Sequence, residues 1–198
     1  GSMTPRKVAR ILVAPNERDA ARRIVRTTYE AQGYAIDESF ATFLEGPSAT
    51  TFGLFNGEVL YGTISIINDG AQGLPMDSIY AVELAAWRGE GKKLAEVVQF
   101  AMDHTLYEAV AGAKPSPFEA ASLFTMVLTY ALETHIDYLC ISINPKHDTF
   151  YSLLGFTQIG ALKHYGTVNA PAIARALYVP EWRSQTLLAQ FMDAERSH

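Results

Sequence analysis

Hydrophobic and polar positions along this chain switch repeatedly between two periods. Residues 7–14, KVARILVA, read as a short strand, and the period then lengthens. In NERDAARRIVRTTYEAQG the apolar positions Ala20, Ile24, Val25 and Tyr29 recur at helical spacing, with the arginines on the other face. Asn16 is the expected N-cap and Gly33 the expected stop. A shorter helix is expected over residues 37–44. ATTFGLFNGEVLYGTISIIND then reads as a hairpin, two β-rich runs joined at Asn56-Gly57. LPMDSIYAVELAAWRGEG, with Pro75 and Asp77 at its start and Gly89 at its end, predicts a helix, and KKLAEVVQFAMD predicts a strand of about eight residues. A loop with Gly112, Pro115 and Pro117 should follow.

In the second half, SPFEAASLFTMVLTYALETH carries Ser116 at a cap position, Pro117 at the first helical position and Glu119 three residues after the cap. Those three residues form a capping-box pattern. DYLCISI predicts a strand buried on both faces, and NPKHDTFYSLLGF a helix. FTQIGALKHYG and AIARALYV predict late strands, and EWRSQTLLAQFMDAE a terminal helix within 180–198. Helices alternating with strands after a hairpin imply a mixed α/β fold: a central twisted mixed sheet of about six to seven strands, flanked by helices.

Composition narrows the class. The chain has 198 residues, 48% hydrophobic and 19% charged, which suits one globular domain. Gly1-Ser2-Met3 reads as a cleavage scar, leaving a single domain over 4–198. No window reaches the roughly 18 apolar residues of a membrane span. A single cysteine, Cys140, excludes internal disulfides and fits a reducing, cytoplasmic compartment; its setting marks it as inert packing. The net charge of −5 argues against nucleic acid as the main partner. Arg6, Lys7, Arg10, Arg18, Arg22, Arg23 and Arg26 nevertheless place seven of the sixteen basic residues in the first 26 positions. That is either a solvated helix face or a patch for an acidic partner.

Two residues draw attention as chemistry. Asn144 and Pro145 open the helix after DYLCISI, Gly155 ends it, and Tyr151 lies seven residues after Asn144, close to two turns. A tyrosine there is either a core aromatic or a phenol placed to donate a proton, since an unperturbed phenol stays protonated at neutral pH. Glu96 stands inside LAEVVQFA, a strand context from which glutamate is depleted. If buried, it needs a partner or a raised pKa. His104, His135, His147, His164 and His198 show no metal-ligand spacing, so no metal is expected. No Gly-x-Ser-x-Gly nucleophile motif is present.

The run Asn144, His147, Tyr151, Gly155, Phe156 resembles the late helix of the GNAT superfamily of N-acyltransferases, with His147 where that family has a small residue. A narrower resemblance, over roughly residues 22–178, is to the N-acyl amino acid synthases and their autoinducer-synthase relatives. It is carried by VRTTYEAQGY, GLPMDSIYAVELAAWRGEGKKLAEV, INPKHDTFYSLLGFTQIG and VNAPA. The resemblance implies a GNAT-like sheet and direct attack of an amine on an acyl thioester, with Tyr151 protonating the leaving thiolate and Glu96 acting as general base. It places an arginine from the first helix beside that glutamate, Arg26 first and Arg22 second. Tyr34, Asn144 and Asn169 are the other expected substrate contacts, and Phe100, Ala101, Ser116 and Phe118 the expected acyl or pantetheine contacts. Glu83 and Arg88 either bind the acceptor carboxylate or serve structure.

HTLYEAVAGAKPSPFE lacks the glycine-rich phosphate loop of acetyl-CoA enzymes. That absence argues against a standard acetyl-CoA site; the resemblance to N-acyl amino acid synthases implies as donor a long-chain thioester of acyl carrier protein or of coenzyme A, with no tightly bound cofactor, and as acceptor an amino acid or similar amine. Autoinducer synthases carry a tryptophan and paired aspartates near the start; Tyr34 and the lack of an Asp pair turn the expectation away from homoserine-lactone synthesis. An acyl-binding module without turnover and an ordinary acetyltransferase are the competing readings.

Overall fold

The computed structural model describes residues 7–165 and 170–186. Seven strands form one sheet: β1 (Lys7–Ile11), β2 (Ala49–Asn56), β3 (Val59–Asn68), β4 (Leu94–Met102), β5 (Tyr138–Ile143), β6 (Thr157–Tyr165) and β7 (Ala170–Tyr178). Their order is β1-β2-β3-β4-β5-β7-β6. Each neighbouring pair is antiparallel except β4 with β5. The helices are α1 (Pro15–Ala31), α2 (Phe40–Leu44), α3 (Asp77–Gly89), α4 (His104–Ala111), α5 (Pro117–Glu133), α6 (Asp148–Leu153) and α7 (Trp182–Gln185). The mixed α/β sheet of the expected size is present.

Side-chain alternation along the central strands divides the core. Ile64 and Ile66 of β3, Ala95 and Val97 of β4, and Leu139, Ile141 and Ile143 of β5 pack with Phe124, Val127 and Leu128 of α5. Ile67, Leu94, Val98 and Cys140 point the other way and pack with Met76, Tyr80 and Leu84. A third cluster lies under α1, around Ala21, Ile24 and Val25. Tyr80 fixes the far edge of the second face. Its hydroxyl donates to Ala161 O at 2.8 Å and Ala172 O at 2.9 Å, tying β6 to β7. Gly160 is required beneath it, because a Cβ there would stand 2.6 Å from the Tyr80 ring.

Several local expectations change. Helix α1 starts at Pro15 with Ala14 as N-cap, so Asn16 lies inside its first turn. Proline presets the helical φ and makes a side-chain cap dispensable. Helix α2 begins three residues late because Asp37 Oδ1 accepts from Ser39 N–H at 2.9 Å and holds a turn before it. The hairpin turn is Gly57–Glu58, with Gly57 at φ +64° and Asn56 still in β2. A helix, α4, occupies much of the expected loop after β4. Asp103 caps it by accepting from Leu106 N–H at 2.8 Å, and Gly112 closes it at φ +74°. The stretch after β5 splits into a 3₁₀ turn, Pro145–His147, and α6, so Asn144 and Tyr151 are not joined by continuous α-helix. The terminal helix stops at Gln185, and Thr186 is extended. Residues 187–198 lie outside the described residues.

The capping box at Ser116 is also absent, since Ser116 makes no side-chain cap bond. Glu119 instead pairs with Lys7 and accepts from Tyr61 Oη at 2.8 Å and Tyr107 Oη at 3.0 Å. This network joins β1, β3, α4 and α5. Burial pulls the Glu119 pKa up, but the bonds from Lys7, Tyr61 and Tyr107 outweigh it and hold the carboxyl below its ordinary range.

Candidate active site

Strands β4 and β5 pair only from Leu94↔Tyr138 to Glu96↔Cys140. Both run on beyond that point, β4 to Met102 and β5 to Ile143, without further pairing to each other. A cavity of about 550 Å³ occupies the gap. Its walls include residues 96–102 of β4, residues 141–143 of β5, Phe150 and Tyr151 of α6, Thr28 and Tyr29 of α1, and Gln32 just after it. Tyr34 and Phe40, between α1 and β2, also line it. The gap connects the two faces of the sheet, so side chains from both cores reach one space. On the α5 face the wall is aromatic: Phe100, Phe150 and Tyr151 line it, and Phe124 packs against all three with ring centroids 5.2–5.7 Å away.

Glu96 is 2% exposed and lines this cavity. Its Oε1 accepts from Met76 N–H at 2.8 Å. Burial pushes its pKa up to about 8; the Met76 bond lowers it and the nearby Asp77 charge raises it further. The loop supplying that N–H is itself pinned. Arg88 donates to Asp77 Oδ1 at 2.6 Å and to Asp69 Oδ2 at 2.8 Å, and Asp77 Oδ2 accepts from Leu74 N–H at 2.7 Å. Arg88 is thereby taken up in structure, as is Glu83, which pairs with Lys163 at 2.9 Å.

Tyr151 is 5% exposed, and burial drives its phenol well above the ordinary value. Tyr29 is the next influence on it, and burial raises Tyr29 to about 12. Both phenols therefore stay protonated across the neutral range. The chemistry available is a carboxyl of intermediate acidity and a proton-donating phenol on one enclosed space.

Of the residues singled out in the sequence, Glu96, Tyr151, Tyr34, Asn144, Phe100, Ala101 and Ser116 all line the cavity. Asn144 also caps the 3₁₀ turn, accepting from Lys146 N–H at 3.0 Å. The expected arginine beside Glu96 is not there. Arg26 is exposed, and Arg22 donates to Thr51 Oγ1 at 3.1 Å; neither lines the cavity. The helical stripe of α1 turns Ala21, Ile24 and Val25 inward and leaves position 26 in solvent. The backbone N–H of Met76 takes the arginine's place. Asn169 and the side chain of Phe118 lie outside the described residues.

Sequence reasoning passed over Tyr29, which reads as one more apolar position in the α1 stripe, and over Gln99 and Ser142. The signal for the last two is polar residues inside β-rich runs. Cys140 and Trp182 are buried, and Trp87 stacks on Tyr138 at 3.9 Å. No group of three or more metal-ligating side chains occurs among the described residues. No helix among them is long and apolar enough to cross a membrane.

Residues 20–178 match the family model described as N-acyl amino acid synthase FeeM. The solved structure of FeeM, an N-acyl amino acid synthase from uncultured soil microbes, is 95% identical; the alignment covers 96% of this chain and 100% of that one, with a TM-score of 0.86. The autoinducer synthase LasI aligns at 13% identity over 92% of this chain and 98% of its own, with a TM-score of 0.62. An N-acetyltransferase from Staphylococcus aureus Mu50 aligns at 16% over 88% and 99%, with a TM-score of 0.58. The latter two share the GNAT-like fold. No curated protein matches the chain.

Proposed function

The chain belongs to the N-acyl amino acid synthase family and is an N-acyltransferase; from that premise we propose that it moves a long acyl chain from acyl carrier protein to the α-amine of an amino acid. The observation that carries this reading is the single cavity through the β4–β5 gap, with Glu96 and Tyr151 both on its wall. The aromatic wall on the α5 face suits an acyl chain, and the Glu96 side suits the acceptor.

In this mechanism the amine nitrogen attacks the thioester carbonyl while Glu96 takes the amine proton. The acceptor attacks as the neutral amine; its N–H becomes strongly acidic as the C–N bond forms, and Glu96 in its carboxylate form takes that proton. Backbone N–H groups of β4 beyond Glu96 that face the gap have no β5 partner and are available to the developing oxyanion. As the C–N bond forms and the C–S bond breaks, Tyr151 protonates the thiolate. Glu96 then gives its proton to solvent, and Tyr151 recovers one. The amide and the free thiol leave with all protons accounted for. Positioning two reactants in one cavity supplies much of the remaining acceleration.

Two features favour a carrier protein over coenzyme A. The segment after β4 forms α4 in place of a glycine-rich phosphate cradle. Arg18, Arg23 and Arg26 are exposed on α1, offering a positive surface to an acidic carrier. The experiment is a direct comparison of one acyl group presented on carrier protein and on coenzyme A, with an amino acid as acceptor. The expected result is N-acyl amino acid from both, with kcat/KM higher by about a hundredfold or more for the carrier-bound donor. Equal efficiency would remove the carrier assignment; acylation of no amine would remove the reading.

A further inference from the structure

Two buried polar atoms on the cavity wall have no partner: Gln99 Oε1 on β4 and Ser142 Oγ on β5. Buried donors and acceptors are nearly always satisfied in folded proteins, so each of these calls for a reason. Gln99 is 8% exposed and holds φ at +52°, a left-handed conformation that a non-glycine residue adopts only at a cost. It lies where the β3–β4 register slips, between Ser65↔Val98 and Thr63↔Ala101. Bulges of this kind re-aim a side chain. Strain and an unmet acceptor thus coincide in one residue, on the strand that carries Glu96.

Ser142 stands across the gap. Cys140 is the register partner of Glu96, and Ser142, two residues on, shares its strand face. It also shares the acceptor side of the cavity. Among the described residues lining the cavity none is a lysine or arginine, although His104 and His147 line it. On the strand face of Glu96, Ser142 offers an entering carboxylate a neutral donor.

We propose that Gln99 and Ser142 together read the α-amino-acid portion of the acceptor. Gln99 Oε1 accepts one N–H of the attacking amine, and the Ser142 hydroxyl donates to the α-carboxylate. With the second amine proton directed to Glu96, the nitrogen lone pair is fixed toward the thioester carbonyl. This assignment rests on the proposed transfer to an amino acid and goes further in naming what selects it.

The test uses the full chain, one acyl thioester, and two acceptors that differ only in the carboxylate, phenylalanine and phenethylamine. Aromatic acceptors suit the wall formed by Tyr29, Tyr34 and Phe40. Ser142→Ala should lower the ratio of kcat/KM for phenylalanine over phenethylamine by about tenfold, and Ser142→Thr should restore most of it. Gln99→Leu should raise KM for both acceptors about tenfold or more while leaving KM of the thioester in place. Ratios and KM values do not depend on the fraction of enzyme that folds, so a partly unfolded variant still reports. An unchanged ratio in Ser142→Ala overturns the proposal. So does a Gln99→Leu defect confined to the thioester KM, which would place the amide on the donor's pantetheine arm. Wild-type protein that acylates neither amine refutes the proposed function itself, whereas active wild type with indistinguishable variants refutes only this pair.

Discussion

Two glutamates buried among the described residues meet opposite fates. Glu119, at the junction of β1, β3, α4 and α5, has an ammonium and two phenols around its carboxylate. Glu96, at the mouth of the β4–β5 gap, has one neutral N–H and an open cavity. They differ little in exposure, 7% against 2%. Burial pushes both carboxyls up; at Glu119 the ammonium and two phenols outweigh it, whereas at Glu96, the more deeply buried of the two, a single N–H does not. A buried carboxylate with its bonds complete holds a structure together. One with a single neutral donor, on the wall of a substrate-sized cavity, is suited to moving a proton.

The largest effect separating the two should come from Glu96→Gln. The glutamine still accepts from Met76 N–H but cannot take a proton, so acyl transfer should fall roughly 10²- to 10⁴-fold in kcat/KM. Retained turnover would erase the distinction. The same substitution should raise stability at alkaline pH. The folded pKa of about 8 exceeds the ordinary 4.5, so the native state holds the proton more tightly than the unfolded chain. The stability this gives is full below about pH 4.5 and is lost as pH rises through 8. Glu96→Gln removes that loss, worth on the order of a few kcal/mol at pH 9, and denaturant melts at pH 5 and pH 9 read it directly.

Tyr151→Phe ranks next, with acyl transfer lowered roughly ten- to a hundredfold and the fold retained, because the ring contacts with Phe124, Phe150 and Phe156 survive. Glu119→Gln should do the reverse. Turnover per folded molecule should hold while stability falls by about 1–2 kcal/mol at neutral pH, a Tm drop of a few degrees for a chain this long. Its folded pKa lies below the ordinary value, so its contribution is present above that value and fades as pH falls through the folded one. The two glutamates should thus give stability profiles of opposite slope. The smallest effect is expected from Arg88→Met. Loosening the Asp77 loop weakens the Met76 bond that lowers the Glu96 pKa, moving the pH–rate profile upward by about half a unit with a modest loss of kcat.

The same contrast separates what the sequence could and could not reveal. Strand and helix order followed from apolar period, and Glu96 stood out because a carboxylate is out of place in a buried strand. Ser116 and Glu119 matched a capping box, but pattern alone cannot report that Lys7, Tyr61 and Tyr107, distant in sequence, outbid the cap. Helix α4 was signalled by Asp103 and Gly112, yet the two prolines that follow masked it. The partner of Glu96 was illegible for a physical reason. A backbone N–H such as that of Met76 carries no residue identity, so a search for charged partners settles on the nearest arginines. Gln99 showed in the sequence only as a polar residue inside a β-rich run; its left-handed φ and the register slip beside it are what mark it out.

The most direct measurement is the titration of Glu96 itself, by carbon NMR of side-chain-labelled glutamate with Glu96→Gln to assign the signal. The account predicts a carboxyl that titrates near pH 8 and whose signal shifts when the acceptor amino acid binds. A Glu96 carboxyl that titrates near 4.5, or one unmoved by the acceptor, would contradict it.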